Sequence, residues 1–380
     1  MIHAFLHIGD AHLAPGPRQA DRLHSLDQIL AHGNVLADRG QLSAWIWPGD
    51  LFHGRSTVED RNLLVRYVMT MATVAPVCIC PGNHDAPGDL EFLRYLQTQW
   101  PVYVWATPGL HTIDLASGLT DFTIYVLPYP HRAQYASAAA LNEQLLTVAY
   151  ARPDLVMPDL VMAHVNVAGS LASTGQPQIG RELEVTAHTL AQFRSSHGVE
   201  PYIALNHIHK HQAFRRDPEE GVDFAVYAGS ISRMDYGEMD PKGFVQVDYD
   251  GTYFKSWTFV PLDVAPQYHV EGELTQVGFQ WPTNFIEPPE SWAGADVRVR
   301  YSYHAAERAL LNFDLVSAPF VAARSVKLEP TPFRDRETRA PEIAAAVTLE
   351  AKVEAYCARM GLIWSAALKD KLAELVANHE

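Results

Sequence analysis

Cysteine is scarce in this 380-residue chain, with three residues at Cys78, Cys80 and Cys357. Three are too few for a disulfide framework, and Cys78 and Cys80 have no second pair with which to build a zinc ribbon. All three read as buried thiols of a reducing cytoplasm. No run of about 18 apolar residues is present, so no membrane span is expected. The opening Met1-Ile2-His3-Ala4-Phe5 has no basic region ahead of its apolar run, which argues against a secretory signal. Internal repeats and low-complexity tracts are missing, and 48% hydrophobic with 19% charged residues excludes a disordered chain. Strong basic runs are missing as well. With 29 Lys and Arg against 44 Asp and Glu, the formal net charge is −15. That weighs against a nucleic-acid enzyme, because phosphate backbones reward Lys and Arg. Bound divalent cations would offset several carboxylates locally, and a partner subunit could supply basic surface.

What is there begins with alternating strand and helix signals. Short apolar runs at 4–8, 44–47 and 77–80 each end at a Gly- or Pro-containing polar loop, with helical spacing at Leu23, Leu26, Ile29 and Leu30 and again at Leu63, Leu64, Tyr67, Val68 and Met71. This grammar predicts an α/β core with strands buried on both faces. Beyond Val102 the signals turn β-rich, with strands at 112–116 and 122–127, apolar runs at 160–163 and 202–205, and a hairpin about Asp250-Gly251. Residues 1–262 therefore read as one domain with strand pairs packed face to face. A second unit is expected over 263–328, with a strand at 296–301, a helix at 305–313 and a strand at 322–328. The Pro-, Arg- and Thr-rich stretch 329–341 reads as a linker. Two amphipathic segments follow, 342–359 and 365–377, separated by Met360-Gly361, where glycine can close the first.

Five segments carry the chemistry, each at the end of an apolar run: Gly9-Asp10-Ala11-His12, Gly49-Asp50-Leu51-Phe52-His53, Gly82-Asn83-His84-Asp85, Ala163-His164 and Asn206-His207-Ile208-His209. Open α/β sheets bind ligands where loops leave the carboxyl ends of strands, so five such ends can converge on one crevice. Two adjacent divalent cations require a bridging carboxylate, several imidazoles and oxygen donors that leave positions open. The i, i+2 spacing of Asp10 with His12 and of His207 with His209 lets both members of a pair point the same way. Gly9, Gly49 and Gly82 permit tight turns beside these residues, and Asn83 offers a neutral oxygen that spares an approaching phosphate further negative charge. Each segment alone is weak, since a lone histidine is more often a satisfied core or surface residue. Five in this order are not weak.

This order resembles the calcineurin-like metallophosphoesterase superfamily across roughly residues 1–262. The resemblance implies a four-layer β-sandwich flanked by helices, α/β or α+β in class, with a small capping domain and a C-terminal helical pair. It implies two divalent metal ions, manganese expected, one held by Asp10, His12, Asp50 and His209 and the other by Asp50, Asn83, His164 and His207, with Asp50 bridging. His84 would protonate the leaving alkoxide while water attacks phosphorus from the opposite side. Asp85 reads either as the group that keeps His84 protonated or as an Asx-turn or helix cap. His53 reads as a further catalytic histidine or as a surface one.

Within the superfamily, the flanks resemble SbcD-type nuclease subunits. Gly49-Asp50-Leu51-Phe52-His53 lacks the Asp followed by Arg-Gly of protein Ser/Thr phosphatases. The stretch Met162-Ala163-His164-Val165-Asn166-Val167-Ala168-Gly169-Ser170 is similar to the SbcD segment at the fourth motif. The most family-specific match is Tyr227-Ala228-Gly229-Ser230-Ile231-Ser232-Arg233-Met234-Asp235-Tyr236-Gly237-Glu238, followed by Lys242-Gly243-Phe244-Val245. A departure is Asn206, where glycine is usual, so the turn before His207 is expected to differ. The resemblance implies a cytoplasmic, bacterial or phage-encoded exo- and endonuclease acting at DNA double-strand ends and on single-stranded DNA. It also implies a homodimer, with residues 342–380 gripping an SbcC-type ATPase, unless those helices simply pack on the capping domain. Arg18, Arg55 and Arg233 are candidates for holding phosphates, against the plainer reading of solvated loop arginines. Two other readings share the ligand set: a small-nucleotide phosphodiesterase and a non-catalytic scaffold.

Overall fold

The parallel strands bury both faces, as their near-continuous apolar sequences require. In the computed structural model, which describes residues 2–16, 18–150, 157–176, 182–194, 200–215, 223–281, 292–333 and 340–377, the chain runs as follows. The first part comprises β1 (His3–His7), α1 (Gln19–Asp38), β2 (Leu42–Trp47), α2 (Val58–Met71), β3 (Val77–Ile79), β4 (Val102–Val104), β5 (Gly109–Ile113), β6 (Phe122–Leu127), α3 (Ala138–Ala149), β7 (Leu160–His164), β8 (Asn166–Val167), β9 (Glu184–Val185) and α4 (Ala187–Leu190). Then come β10 (Tyr202–Asn206), β11 (Gln212–Arg215), β12 (Asp223–Tyr227), β13 (Gly243–Tyr249), β14 (Phe254–Pro261), β15 (Gln267–Thr275), β16 (Gly278–Gln280) and β17 (Asp296–His304). The chain closes with α5 (Asp314–Ser317), β18 (Ser325–Phe333), α6 (Pro341–Ala345), α7 (Leu349–Arg359) and α8 (Ala366–Ala377).

Two six-stranded sheets dominate, ordered β14-β13-β1-β2-β3-β4 and β11-β12-β10-β7-β6-β5. In the first, β1 to β4 are mutually parallel and β13 joins β1 antiparallel. In the second, β12, β10, β7 and β6 are parallel, flanked by antiparallel β11 and β5. The alternation of side chains along each strand sorts the core. On β2, Ala44 and Ile46 join a cluster that also holds Phe5 and Cys78 from the first sheet and Ile124, Met162 and Ala204 from the second. Trp45 and Trp47, one residue out of phase, pack instead with Leu26 and Ile29 of α1 and Leu64 and Val68 of α2. A third cluster sets Tyr125, Val161 and Ile203 against Leu141 and Leu145 of α3 and Leu190 of α4. A further four-stranded sheet is ordered β16-β15-β17-β18.

The chain falls into two compact units, Met1–Val270 with Glu287–Val299 and Phe320–Lys327, and Glu271–Ile286 with Arg300–Pro319 and Leu328–Glu380. Three local expectations change. The 305–313 helix is a 3-10 turn, Ala305–Leu310, and α5 restarts at Asp314, whose N–H donates to Asn312 Oδ1 at 3.1 Å. The linker expected from 329 begins as strand, since β18 runs to Phe333; residues 334–339 lie outside the described residues. The 342–359 segment is broken in two, because the Thr348 hydroxyl caps a new helix by accepting from Ala351 N–H at 3.1 Å. Gly361 closes that helix as expected, at φ 68, with Leu362 N–H on Cys357 O at 2.8 Å. No helix among the described residues is long and apolar enough to cross a membrane.

One contact that seats α1 on the first sheet is testable. A Cβ added at Gly33 would stand 2.0 Å from the edge of the Trp45 indole, and Trp45 Nε1 is tied to Met71 O at 3.1 Å. Helix propensity alone would make Gly33→Ala stabilising by about 1 kcal/mol. Overpacking against a held ring reverses the sign, to a loss of about 1–3 kcal/mol. A urea midpoint shifted downward at unchanged slope is the expected result.

Candidate metal centre

The loops leaving the carboxyl ends of β1, β2, β3, β7 and β10 bring all seven sequence-nominated donors together. Asp10 and His12 follow β1, Asp50 follows β2, Asn83 follows β3, His164 ends β7, and His207 and His209 follow β10. His12 Nε2 lies 3.1 Å from His209 Nε2 and 3.5 Å from Asp50 Oδ2. His164 Nε2 lies 3.5 Å from the same Asp50 oxygen and 3.0 Å from Asn83 Oδ1, which also meets His207 Nδ1 at 2.9 Å. Thus one oxygen of Asp50 faces a donor from each half of the set. Asp10, His12 and Asp50 form one group of donor atoms within 4.8 Å of one another, and Asp50, His164 and His207 form another.

Local backbone geometry is bent to achieve this. His12, Asp50 and His207 adopt positive φ of 48°, 53° and 110°, a conformation that costs side-chain-bearing residues about 1–3 kcal/mol each and concentrates at functional sites. Gly49, at φ 100°, turns the chain out of β2, and a Cβ there would strike His164 Nδ1 at 2.4 Å. Gly82 has ordinary φ; its missing side chain matters because a Cβ would stand 2.1 Å from Asp50 Oδ1. Asn206, in the place of the expected glycine, leaves the strain to His207 and donates its side-chain N–H to Ile8 O at 3.2 Å, tying β10 to β1.

The donor set fits cations on chemical grounds. Two donors that each bind one ion at about 2.1 Å sit roughly 3.0–3.4 Å apart, and the separations above fall in or close to that range. Asp10 is fully buried, and its Oδ2 has no hydrogen-bond partner among the described residues. Burial, then the Asp50 charge, raises the Asp10 carboxyl above the usual carboxylate range. Burial acts the same way on Asp50, but the His164 charge and hydrogen bond, with His12, overcome it and hold that carboxyl low. Burial also disfavours charge on His164, yet Asp50 and Asp10 push it up to about 9. Carboxylates and imidazoles are therefore competing for protons in a place where cations would serve all of them.

A family model for calcineurin-like phosphoesterases matches residues 3–194. The chain belongs to the calcineurin-like phosphoesterase family. The family's phosphoester chemistry is metal-dependent, and the Asp and His groups that converge here could hold divalent ions. His207 and His209 lie beyond the matched residues, and the fold alone brings them to this phosphoesterase centre. A cavity of about 350 Å³ opens over it, lined by Asp50, Asn83, His84, His207 and His209 among others.

His84 and His53 both reach the centre. Their rings stack at 5.2 Å, and His84 lies edge-on to His12 at 4.6 Å. His84 N–H donates to Asp50 Oδ1 at 2.9 Å, and its Nδ1 meets His53 O at 3.0 Å. The partner of the His84 ring is thus a backbone carbonyl and not Asp85. The Asp85 carboxylate accepts from the backbone N–H groups of Gly82, Phe52 and Leu51 at 2.9, 2.9 and 3.4 Å, pinning the β2 and β3 loops together. Burial and then Asp50 push it up to about 6, against those amides. Two of the three candidate arginines are engaged by loop carbonyls. Arg233, half-buried, donates to the carbonyl oxygens of Glu238 and Asp240, so it braces a loop. Arg18 donates to Met234 O and lies 4.9 Å over the Tyr236 ring. Arg55 is exposed.

Two carboxylates were not nominated. Glu238 Oε1 lies 2.8 Å from His209 Nδ1, while its other oxygen takes the fully buried Lys242 ammonium at 2.8 Å and Met234 N–H at 3.0 Å. Burial raises the Glu238 carboxyl, but His209 and Lys242 bring it down to about 2. Glu182 Oε2 lies 2.6 Å from His207 Nε2. Such partners orient histidines that bind metals. Glu238 was visible in the Gly237-Glu238 segment read for its family likeness; Glu182 had no flanking signal.

The Asp85 clamp gives a prediction. Asp85→Ala leaves three buried amides without their acceptor, so a stability loss on the order of 2–4 kcal/mol is expected. Because the freed loops carry Asp50 and Asn83, Mn2+ affinity by calorimetry should fall about tenfold or more at a temperature where the variant remains folded. Unchanged affinity would separate the clamp from the metal centre.

Proposed function

We propose that the chain is a two-metal DNA nuclease, with exo- and endonuclease action at DNA ends, serving as the nuclease subunit of an SbcC/SbcD-type complex. The observation that carries the phosphodiester chemistry is the shared Asp50 oxygen between two groups of donors. The nuclease assignment rests on the flanks at 162–170 and 227–245 and on Phe52-His53 after the bridging aspartate. In this reading the two sheets and their helical covers form the four layers, residues 263–328 cap them, and Arg18 and Arg55 remain candidates for nucleic-acid phosphates.

Asp10, His12, Asp50 and His209 would hold one ion, and Asp50, Asn83, His164 and His207 the other; manganese is the expected metal. The ions supply charge neutralisation and activation of water. The chain's own residues do the rest. His84 Nδ1, fixed on the His53 carbonyl, leaves Nε2 as the atom that gains a proton in the imidazolium and passes it to the leaving oxygen. The His53 ring stacked on His84 limits its rotation. Glu238 and Glu182 hold the outer nitrogens of His209 and His207.

End-labelled duplex and single-stranded DNA, digested with Mn2+ beside a bis-aryl phosphodiester, tests the reading. DNA cleavage that stops on chelation and returns with Mn2+ is expected. His84→Ala should lower the rate about 10²–10⁴-fold, and Asp50→Ala should reduce it to background, both with the fold retained by circular dichroism. Activity persisting in both variants overturns the mechanism. The net charge of −15 favours a small-nucleotide phosphodiesterase instead, which hydrolysis of the aryl ester with no cutting of DNA would establish.

The C-terminal helices concern the partner. Val347 is 93% and Ile363 85% exposed, with Leu349, Tyr356, Met360 and Leu362 also exposed, apolar surface that these short helices leave uncovered. In this proposal they grip the coiled-coil base of an SbcC-type ATPase, and the protein acts as a homodimer in the cytoplasm. Deleting residues 342–380 should abolish capture of that ATPase while leaving aryl phosphodiester hydrolysis unchanged; full capture by the truncated chain would end the idea.

A further inference from the structure

A second cavity, about 220 Å³, shares a wall with the metal centre. Gly82 lines it, and a Cβ on Gly82 would stand 2.1 Å from Asp50 Oδ1, so one peptide separates the cavity from the shared carboxylate. Tyr129 lines it too, and its ring centroid lies 5.7 Å from that of His207 and 6.1 Å from that of His164. Asp85, the clamp of the metal-bearing loops, lines it as well, but none of the seven nominated donors does.

We propose that the cavity binds the nucleobase of a nucleotide whose phosphate lies at the metal centre. The inference rests on the phosphodiester reading above and extends it by assigning a place for the base. Size permits it, since an apolar cavity of about 150 Å³ already takes up benzene. The walls suit a flat ring. Pro81, Pro87, Pro108 and Pro128 contribute rigid surface, and Leu90 and Val104 are apolar. Rings with little rotational freedom keep such a slot open before the ligand arrives, so little ordering entropy is lost on binding. Tyr129 and His131 meet edge to face, at 5.1 Å and 79°, and give the slot an aromatic side on which a base can stack. Polar lining comes from Asp85 and Glu91, which can accept from a base's N–H groups, and from Gln134, whose amide oxygen accepts from His131 N–H at 3.0 Å. Binding governed by stacking tolerates different bases. That tolerance suits an enzyme that cleaves DNA without regard to sequence.

Calorimetry on the full manganese-loaded chain tests the proposal, with thymidine 5′-monophosphate and inorganic phosphate as probes. Phosphate reports the metal centre, and the difference between the two ligands reports the cavity. The nucleotide should bind about tenfold or more tightly than phosphate. Filling the cavity from its exposed side with Ala106→Trp, or separately with Ala86→Phe, should erase the difference while leaving phosphate affinity unchanged. Equal affinity of the unaltered chain for both ligands overturns the base site. So does a parallel loss of both ligands in both variants when each is folded. Failure of either ligand to bind the unaltered chain is a different result: it removes the phosphodiester reading, and the base site falls with it.

Discussion

Everything at the centre depends on one carboxylate being held where two sheets end. Asp50 leaves β2 in the left-handed region, is almost fully buried, and offers one oxygen to His12 from the first sheet and to His164 from the second. An uncompensated charge there would be costly in so dry a place. The surroundings answer this with His164, with His12, and with the His84 backbone amide on the other oxygen. The need for room explains the two neighbouring glycines: any side chain at Gly49 or Gly82 would occupy space belonging to His164 or Asp50. The parallel strands matter for the same reason. Parallel pairing sends successive strand ends to one edge, so chemistry collects there without any one loop being long.

The sequence made the first-half elements legible because buried strands write themselves as short apolar runs that stop abruptly. Residues 122–127 were bounded to the residue, and the loops after β1, β2 and β3 announced themselves by polar residues with no packing value. The pairing of β1 between β13 and β2 was not legible, since nothing local to His3–His7 specifies a partner more than two hundred residues away. The helical periodicity over 342–359 misled for a physical reason: it is preserved across Val347-Thr348, yet the Thr348 hydroxyl competes for backbone N–H and starts a fresh helix.

At the site, the seven candidate donors could be named because five polar segments stand at strand ends in an order that resembles a known family, and the structure brings these residues together. Their supports could not, because a backbone amide or a carboxylate at hydrogen-bond distance leaves little mark on sequence spacing. Asp85 shows the limit. Its place beside His84 suggested a partner for that imidazole, whereas its oxygens serve the amides of Gly82, Phe52 and Leu51. Adjacent residues in a tight turn commonly point in different directions, so adjacency in sequence was a poor guide to contact. Arg233 failed similarly: a half-buried guanidinium near a motif was better satisfied by loop carbonyls than by a ligand.

The acidic composition, which told against nucleic acid at first sight, looks different once the carboxylates are located. Asp10, Asp50, Glu182 and Glu238 are gathered around the histidines. In the proposed function two divalent cations balance their charge, while the buried Lys242 ammonium pairs with Glu238 and Asp240. Charge buried against metal does not repel a phosphate as the same charge on an open surface would, because opposite charges within a few ångströms leave little field at a distance. Net charge summed over the chain is thus a poor measure of what a phosphodiester meets in the cavity. The balance that matters is local, and bound divalent ions would bring it close to neutral.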